Sequence, residues 1–248
     1  MKVISILFCC IFLFISINVF GQALHGEVIY AQTNSWTKIA AGLPYLNQEE
    51  RDRIIMVWGK EEGYTERMKL VFNDTVSHYT YVLIDKDEES TWSYKKEELQ
   101  IYRNYLRNTI FDRVGILGKT YIVKDEIPKW KWKVLGEIKD VAGYVCMKAE
   151  TTDTIKNQKI TAWFTDKILI PAGPGFFGGL PGLILEININ DGASIIVAET
   201  ITLDSLQKIN QPKSKGKMIN FETYKNLIST YIKDCIERRR NPYWDLRY

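Results

Sequence analysis

Histidine is nearly missing from this 248-residue chain, and much of the common catalytic repertoire goes with it. Only His25 and His78 occur, so no H-E-x-x-H metal site can form. The sequence also lacks a G-x-S-x-G nucleophile elbow, a C-x-x-C pair and a phosphate-cradling glycine loop. Cysteine is scarce too: four residues, of which Cys9 and Cys10 fall in the leading apolar run. That leaves Cys146 and Cys235, enough for one bridge and too few for a disulfide scaffold. Charge of one sign is not in excess, with 33 Lys and Arg against 30 Asp and Glu. Net charge therefore implies neither a nucleic-acid partner nor an anionic membrane surface.

The long apolar run is confined to the start. Met1-Lys2 precedes apolar residues 3–20, and Val19-Phe20-Gly21 is followed by Gln22. A cationic start, an apolar middle and a small residue before the cut describe a signal peptide over residues 1–21. A retained anchor is the competing reading, since the run approaches the roughly 20 residues that span a bilayer. No Lys or Arg cluster follows it, which favours cleavage after Gly21. Phe8 stands where a lipidated Cys9 needs a small residue, so lipidation is not expected. The mature chain, 22–248, is expected to be a single β-rich domain, exported to the periplasm or the periplasmic face of the outer membrane.

What the chain does have is alternation. Met68, Leu70 and Phe72 alternate with Arg67, Lys69 and Val71, the pattern of a strand with one buried face. Asn73-Asp74-Thr75 then turns into a second run over residues 76–84. Further strands are expected over 99–105, 120–124, 129–135, 141–151, 159–170 and 183–190, with Asp191-Gly192 turning into 193–203. Helical signals are two. Asn47 and Glu50 make a capping box for a helix to about residue 57. From Phe221, residues Tyr224, Leu227, Ile228, Tyr231, Ile232, Cys235 and Ile236 form one stripe of a helix at about 220–240. Asn220 can cap it, and Arg238, Arg239 and Arg240 complement its dipole. Residues 207–216, rich in Lys, Pro, Ser and Gly, read as an exposed connection. Consecutive strands with short turns predict a mainly β fold, a curved antiparallel meander or half-barrel covered by the C-terminal helix.

One loop stands out: residues 171–182 read Pro-Ala-Gly-Pro-Gly-Phe-Phe-Gly-Gly-Leu-Pro-Gly. Glycine permits positive φ and close backbone approach while proline fixes φ, so the mixture encodes a bend. Leu180-Pro181-Gly182-Leu183 fits a type II turn with Gly182 at positive φ. At least one of Phe176 and Phe177 is expected to anchor the loop on the sheet. The segment Gly179-Leu180-Pro181-Gly182-Leu183-Ile184 resembles the hexapeptide of the GLPGLI family of exported bacterial proteins. Trp132-Lys133-Val134, Gly143-Tyr144-Val145-Cys146-Met147-Lys148-Ala149, Ala162-Trp163-Phe164-Thr165 and Gly173-Pro174 are similar to motifs that succeed one another in that family, as are Gly26-Glu27-Val28-Ile29-Tyr30 and Phe72-Asn73. The resemblance implies export and fold; the family carries no established activity.

Each candidate site has a plain structural reading beside it. His25 and His78 read as surface or satisfied histidines. Asp85, Asp87 and Glu89 alternate like half a calcium loop, but Ser90 and Lys96 replace its glycine and bidentate glutamate, leaving a solvated hairpin tip. Trp130 and Trp132, spaced by lysines, suit a binding platform or ordinary sheet construction. The 171–182 loop is either the plug that lets the sheet curve or an aromatic patch for a partner. Cys235 on the helix stripe and Cys146 in the strand beneath are expected to pair. Thr75, Thr154 and Ser205, each after an aspartate, fit an O-glycosylation tripeptide. No metal, no cofactor and no catalytic residue is assigned. The function expected is a non-catalytic envelope protein that binds an apolar ligand, a chain segment or a membrane-protein partner. A carboxylate-dependent hydrolase and a purely structural subunit are the alternatives.

Overall fold

The computed structural model describes residues 24–60, 63–82, 98–204 and 207–248. The leader, the Asp85 to Lys96 positions weighed for calcium, and Ser205 lie outside the described residues. Strand β1 (His25–Asn34) is the hub, because strands pair along both of its edges. On one side five strands march outward: β2 (Tyr64–Asn73), β3 (Val76–Tyr81), β4 (Leu99–Asn104), β5 (Thr109–Ile116) and β6 (Lys119–Glu126). On the other side five march inward: β7 (Lys133–Val141), β8 (Tyr144–Asp153), β9 (Gln158–Thr165), β10 (Leu183–Ile189) and β11 (Ser194–Leu203), which closes on β1. These pairings are antiparallel, and among the described residues only the short β12 (Lys217–Ile219) runs parallel, along β6. The sheet is mainly antiparallel and open, since β12 and β7 are its two ends.

Connectivity alone forces the curvature. In a flat sheet β6 and β7, ten strand intervals apart, would stand about 48 Å apart. The link between them is residues 127–132, which spans at most about 25 Å. The sheet must therefore curl until its outer strands approach. Its inner face is filled by Tyr30, Tyr79, Phe72, Phe164 and a mass of buried isoleucines and leucines.

Local chemistry sets the turns and caps. Asn73 Oδ1 accepts from the N–H groups of Thr75 and Val76, fixing the β2–β3 hairpin. Asn190, Asp191 and Gly192 all take positive φ, making the β10–β11 turn. Helix α1 (Trp36–Ala41) is capped by Ser35, and α2 (Gln48–Trp58) by the expected Asn47–Glu50 box. Helix α3 (Phe221–Glu237) is capped by Asn220, buries Ile228 and Cys235, and lays Phe221, Tyr224, Leu227, Tyr231 and Ile232 on the core. Asp125 at the end of β6 also accepts from the Phe221 N–H, tying helix to sheet.

Several expectations need correction. The strand expected over 129–135 begins at Lys133, because both tryptophans before it serve the 171–182 loop. The run 159–170 ends as a strand at Thr165. Strand β5 was not anticipated: its inward positions include Asp112, buried only because Arg103 on β4 meets it. Arg238 is the C-cap of α3, so the expected Arg238, Arg239 and Arg240 follow its C-terminal end directly, with their side chains on Asp234 and Glu50.

Candidate functional site

The 171–182 loop turns its bonding capacity inward. Trp130 Nε1 donates to the Phe176 carbonyl at 3.1 Å and Trp132 Nε1 to the Gly178 carbonyl at 2.9 Å. Phe177 lies 5.2 Å from the Trp130 ring, and Phe176 lies 5.8 Å from Tyr224 on α3. Both phenylalanines are half-buried, so each anchors the loop. Gly173, Pro174, Leu180, Gly182, Leu183 and Ile184 are buried, while Gly179 and Pro181 are exposed. The Ile184 carbonyl accepts from Tyr30 Oη at 2.7 Å, and its N–H donates to the Ala172 carbonyl at 3.0 Å.

The expected type II turn is overturned. Positive φ falls at Gly175 and Gly179, and Gly182 is not among the positive-φ glycines. Gly182 is needed for another reason: a Cβ there would sit 2.0 Å from the Thr165 carbonyl oxygen. Beneath the loop, near Arg103, Tyr105 and Trp130, a cavity of about 20 Å³ remains. That is room for one water. The loop is therefore closely packed on the sheet at this point.

Polar groups inside the curl are used structurally. Arg103 Nη1 contacts Asp112, which also accepts from Tyr102 N–H at 3.0 Å; burial pulls the Asp112 carboxyl above its usual range against both contacts. Arg247 enters from the C-terminus and donates to Gln32 at 3.0 Å and Glu66 at 3.1 Å, beside Tyr81. Lys156 Nζ donates to the Arg247 carbonyl at 2.8 Å, and burial pushes its pKa down to about 8. His78 is half-buried; its pKa is lowered by burial and then by Lys69, and its Nε2 is buried with no hydrogen-bond partner. Cys146 and Cys235 are both free and buried, so the expected bridge is not formed. Cys146 faces the sheet core, donating to the Tyr144 carbonyl, whereas Cys235 faces the cleft described next. Thr154 is exposed in the β8–β9 turn, and Thr75 is half-buried with its hydroxyl on Asn73. Among the described residues no three His, Cys, Asp or Glu side chains cluster as a metal site, and no helix is long and apolar enough to cross a membrane.

A cleft of about 700 Å³ that no single sequence pattern announces lies between α1, α2, the end of α3 and the 3-10 turn Pro242–Trp244. Leu43, Leu46, Ile54 and Ala40 supply aliphatic wall; Trp36, Tyr45, Trp58, Tyr231 and Trp244 supply rings. Thr37, Cys235, Arg239, Arg240, Asn241 and Asp245 complete the lining. The walls are braced. Arg51 donates to the Leu43 and Leu46 carbonyls at 2.9 and 3.1 Å, and Thr37 Oγ1 to the Trp58 carbonyl at 2.9 Å. Arg239 joins α3 to this unit through the Tyr45 carbonyl and Glu50. Tyr231 Oη donates to Asp245 at 2.5 Å. The sequence signal was Ile54-Ile55-Met56-Val57-Trp58, five consecutive apolar residues that no single helix face can bury.

The family model for the N-glycanase peptide, N-terminal domain, matches residues 62–226, more than half of the chain. The chain belongs to this family. Two solved structures of PNGF-II, in space groups P21 and C2, have TM-scores of 0.56 and 0.54 at 16% identity, each covering 83% of this chain. That likeness is one of fold. The chain spans about a third of the length of those structures, 33% in each. No curated protein matches it. The 171–182 loop lies inside the family match, and every residue lining the cleft lies outside it, before 62 or after 226. The cleft is thus built by the two segments of this chain that flank the family match.

Proposed function

We propose that the chain is an exported, non-catalytic binding module of the cell envelope, and that its aromatic cleft holds an apolar ligand. The observation that carries this reading is the cleft itself: about 700 Å³, lined mainly by apolar side chains with a few polar groups at its edge. That is the size and composition of sites that bury small molecules. The resemblance of residues 179–184 to the GLPGLI hexapeptide agrees with export, as does the leader over residues 1–21. Native mass spectrometry of the chain purified from its host envelope tests the reading. A non-covalent excess mass removed by organic extraction is expected; the bare mass in every preparation would overturn it.

A second reading rests on the relatives' name. N-glycanase denotes an enzyme, and this chain corresponds to one domain of proteins three times its length. Release of glycan from a denatured N-glycosylated protein by this chain alone would establish hydrolysis in place of binding. Thr75, Thr154 and Ser205 are proposed O-glycosylation positions, with Thr154 the most open of the two described. Covalent excess mass lost stepwise on changing each to Ala is the expected result; a mature chain of unmodified mass refutes it.

A further inference from the structure

We propose that the cleft is selective for a flat apolar molecule carrying one anionic group, its rings between the aromatic walls and its anion on Arg240. This rests on the reading of the cleft as a ligand site and specifies what the ligand is.

The walls argue for rings. Five of the lining side chains are aromatic, and three tryptophans remain bare to solvent: Trp36 is 46% exposed, Trp58 52% and Trp244 79%. Exposed indole faces gain most from a flat apolar partner, which they can meet in offset or edge-on geometry while losing unfavourable hydration. An aliphatic chain would meet the same faces with less contact per atom.

The charge argument follows from how the arginines are employed. Arg239 is committed, one Nη on the Tyr45 carbonyl at 3.0 Å and the other on Glu50 at 2.7 Å. Arg240 is not. It makes one side-chain bond, Nη2 to Asp234 at 3.0 Å, and Arg238 Nε takes the same carboxylate at 2.8 Å. Two guanidinium groups share that one carboxylate, so Arg240 keeps N–H donors unused where it lines the cleft. The lining's own carboxylate, Asp245, accepts from Tyr231 and makes no ion pair with Arg240. The remaining Arg240 donors suit an oxyanion, whose hydrogen bonds to guanidinium are of the strong, charge-assisted kind. The occupant is a free small molecule: the site is a concave volume of drug-ligand size, walled on several sides by braced elements.

Fluorescence titration of the folded chain with two probes tests this. 8-Anilinonaphthalene-1-sulfonate has flat rings and one anion; N-phenyl-1-naphthylamine has the same ring pair without the sulfonate. Both are expected to bind saturably at one site per chain, the sulfonate more tightly. Arg240→Gln should weaken the sulfonate about tenfold and leave the amine unchanged, the effect of losing one charge-assisted contact. Ala40→Phe, which fills the cleft, should remove both. Trp244→Ala, at an exposed position that does not threaten folding, should weaken both and serves where the filled variant does not fold. Equal response of the two probes to Arg240→Gln would overturn the anion selectivity while leaving the ligand site standing. Absence of saturable binding of either probe to the native chain would overturn both. Cosedimentation with phosphatidylglycerol vesicles, or a dimer that excludes both probes, would likewise overturn the proposal by assigning the surface to a bilayer or to a second copy.

Discussion

Replacing Gly182 by alanine is the sharpest test of how the 171–182 loop is held. An added Cβ would stand 2.0 Å from the Thr165 carbonyl oxygen, 2.9 Å from its carbon and 3.3 Å from the Asp166 Cα. All three are backbone atoms, so no side chain can swing away. Relief requires β10 to move from β9 by more than 1 Å or so, judged against ordinary contact near 3.5 Å. That shift strains the Leu183–Thr165 pairing, the Ile184 N–H bond to Ala172 and the Tyr30 bond to the Ile184 carbonyl. Overpacking costs about 1–3 kcal/mol and each buried hydrogen bond about 1 kcal/mol, so a loss of about 3–5 kcal/mol is expected. Set against a total stability of about 5–15 kcal/mol, this removes much of the folded population. Gly179→Ala is the control: φ is +83° there, with nothing within 4 Å of the added atom, and the expected cost is about 1 kcal/mol. Urea unfolding of the two variants gives the comparison. A Gly182→Ala variant no less stable than Gly179→Ala would refute the close-approach argument and restore the turn-type one.

Three other outcomes are expected. Alkylation of the unreduced, denatured mature chain should add two labels, one at Cys146 and one at Cys235; a chain that takes none carries the bridge after all. Trp132→Phe keeps a ring but removes the donor to the Gly178 carbonyl, and should cost about 1 kcal/mol in chemical unfolding; no change would show that the indole bond is dispensable. Stability should rise with pH from about 8 towards 10, because burial holds Lys156 at about 8 while the unfolded chain keeps that proton to about 10.4. In that window the unfolded state binds more protons, and the penalty on the buried ammonium is relieved. Above about 10 the buried tyrosines, raised in the folded chain, reverse the slope. Lys156→Met should flatten the rise, and an unchanged slope in that variant would assign it elsewhere.

The sheet was legible where one face is wet. Met68, Leu70 and Phe72 announce β2 because Arg67 and Lys69 between them stay polar, and Asn47, Asn220 and Asp191-Gly192 mark element ends by chemistry local to the backbone. Strand β5 was hidden because Asp112 occupies an inward position that makes sense only opposite Arg103, a partner nine residues away in sequence. The loop's glycines and prolines mark a bend, but glycine at 182 answers to the backbone of Thr165, which no local pattern reveals. Cys146 and Cys235 both point inward, yet to different interiors, and period alone cannot say which. The cleft was least legible of all. Its walls come from residues 36–58 and 231–245, and only the fold brings those segments together.

The position of β1 bears on the order in which the molecule can assemble. Gly26 pairs with Phe72 on one edge and with Leu203 on the other, so one flank of the hub closes early and the other waits for nearly the whole chain. Non-local pairing of this kind slows folding, because a long loop must be closed before its contacts repay the entropy. Until β11 arrives, β1 presents a bare row of N–H and C=O groups on a strand rich in Val, Ile and Tyr, a template for another nascent chain. A chain cut short before Ser194 would carry that open edge permanently, so truncation is expected to cause aggregation and not a smaller stable core. Completion of the hub is the step a chaperone would have to guard.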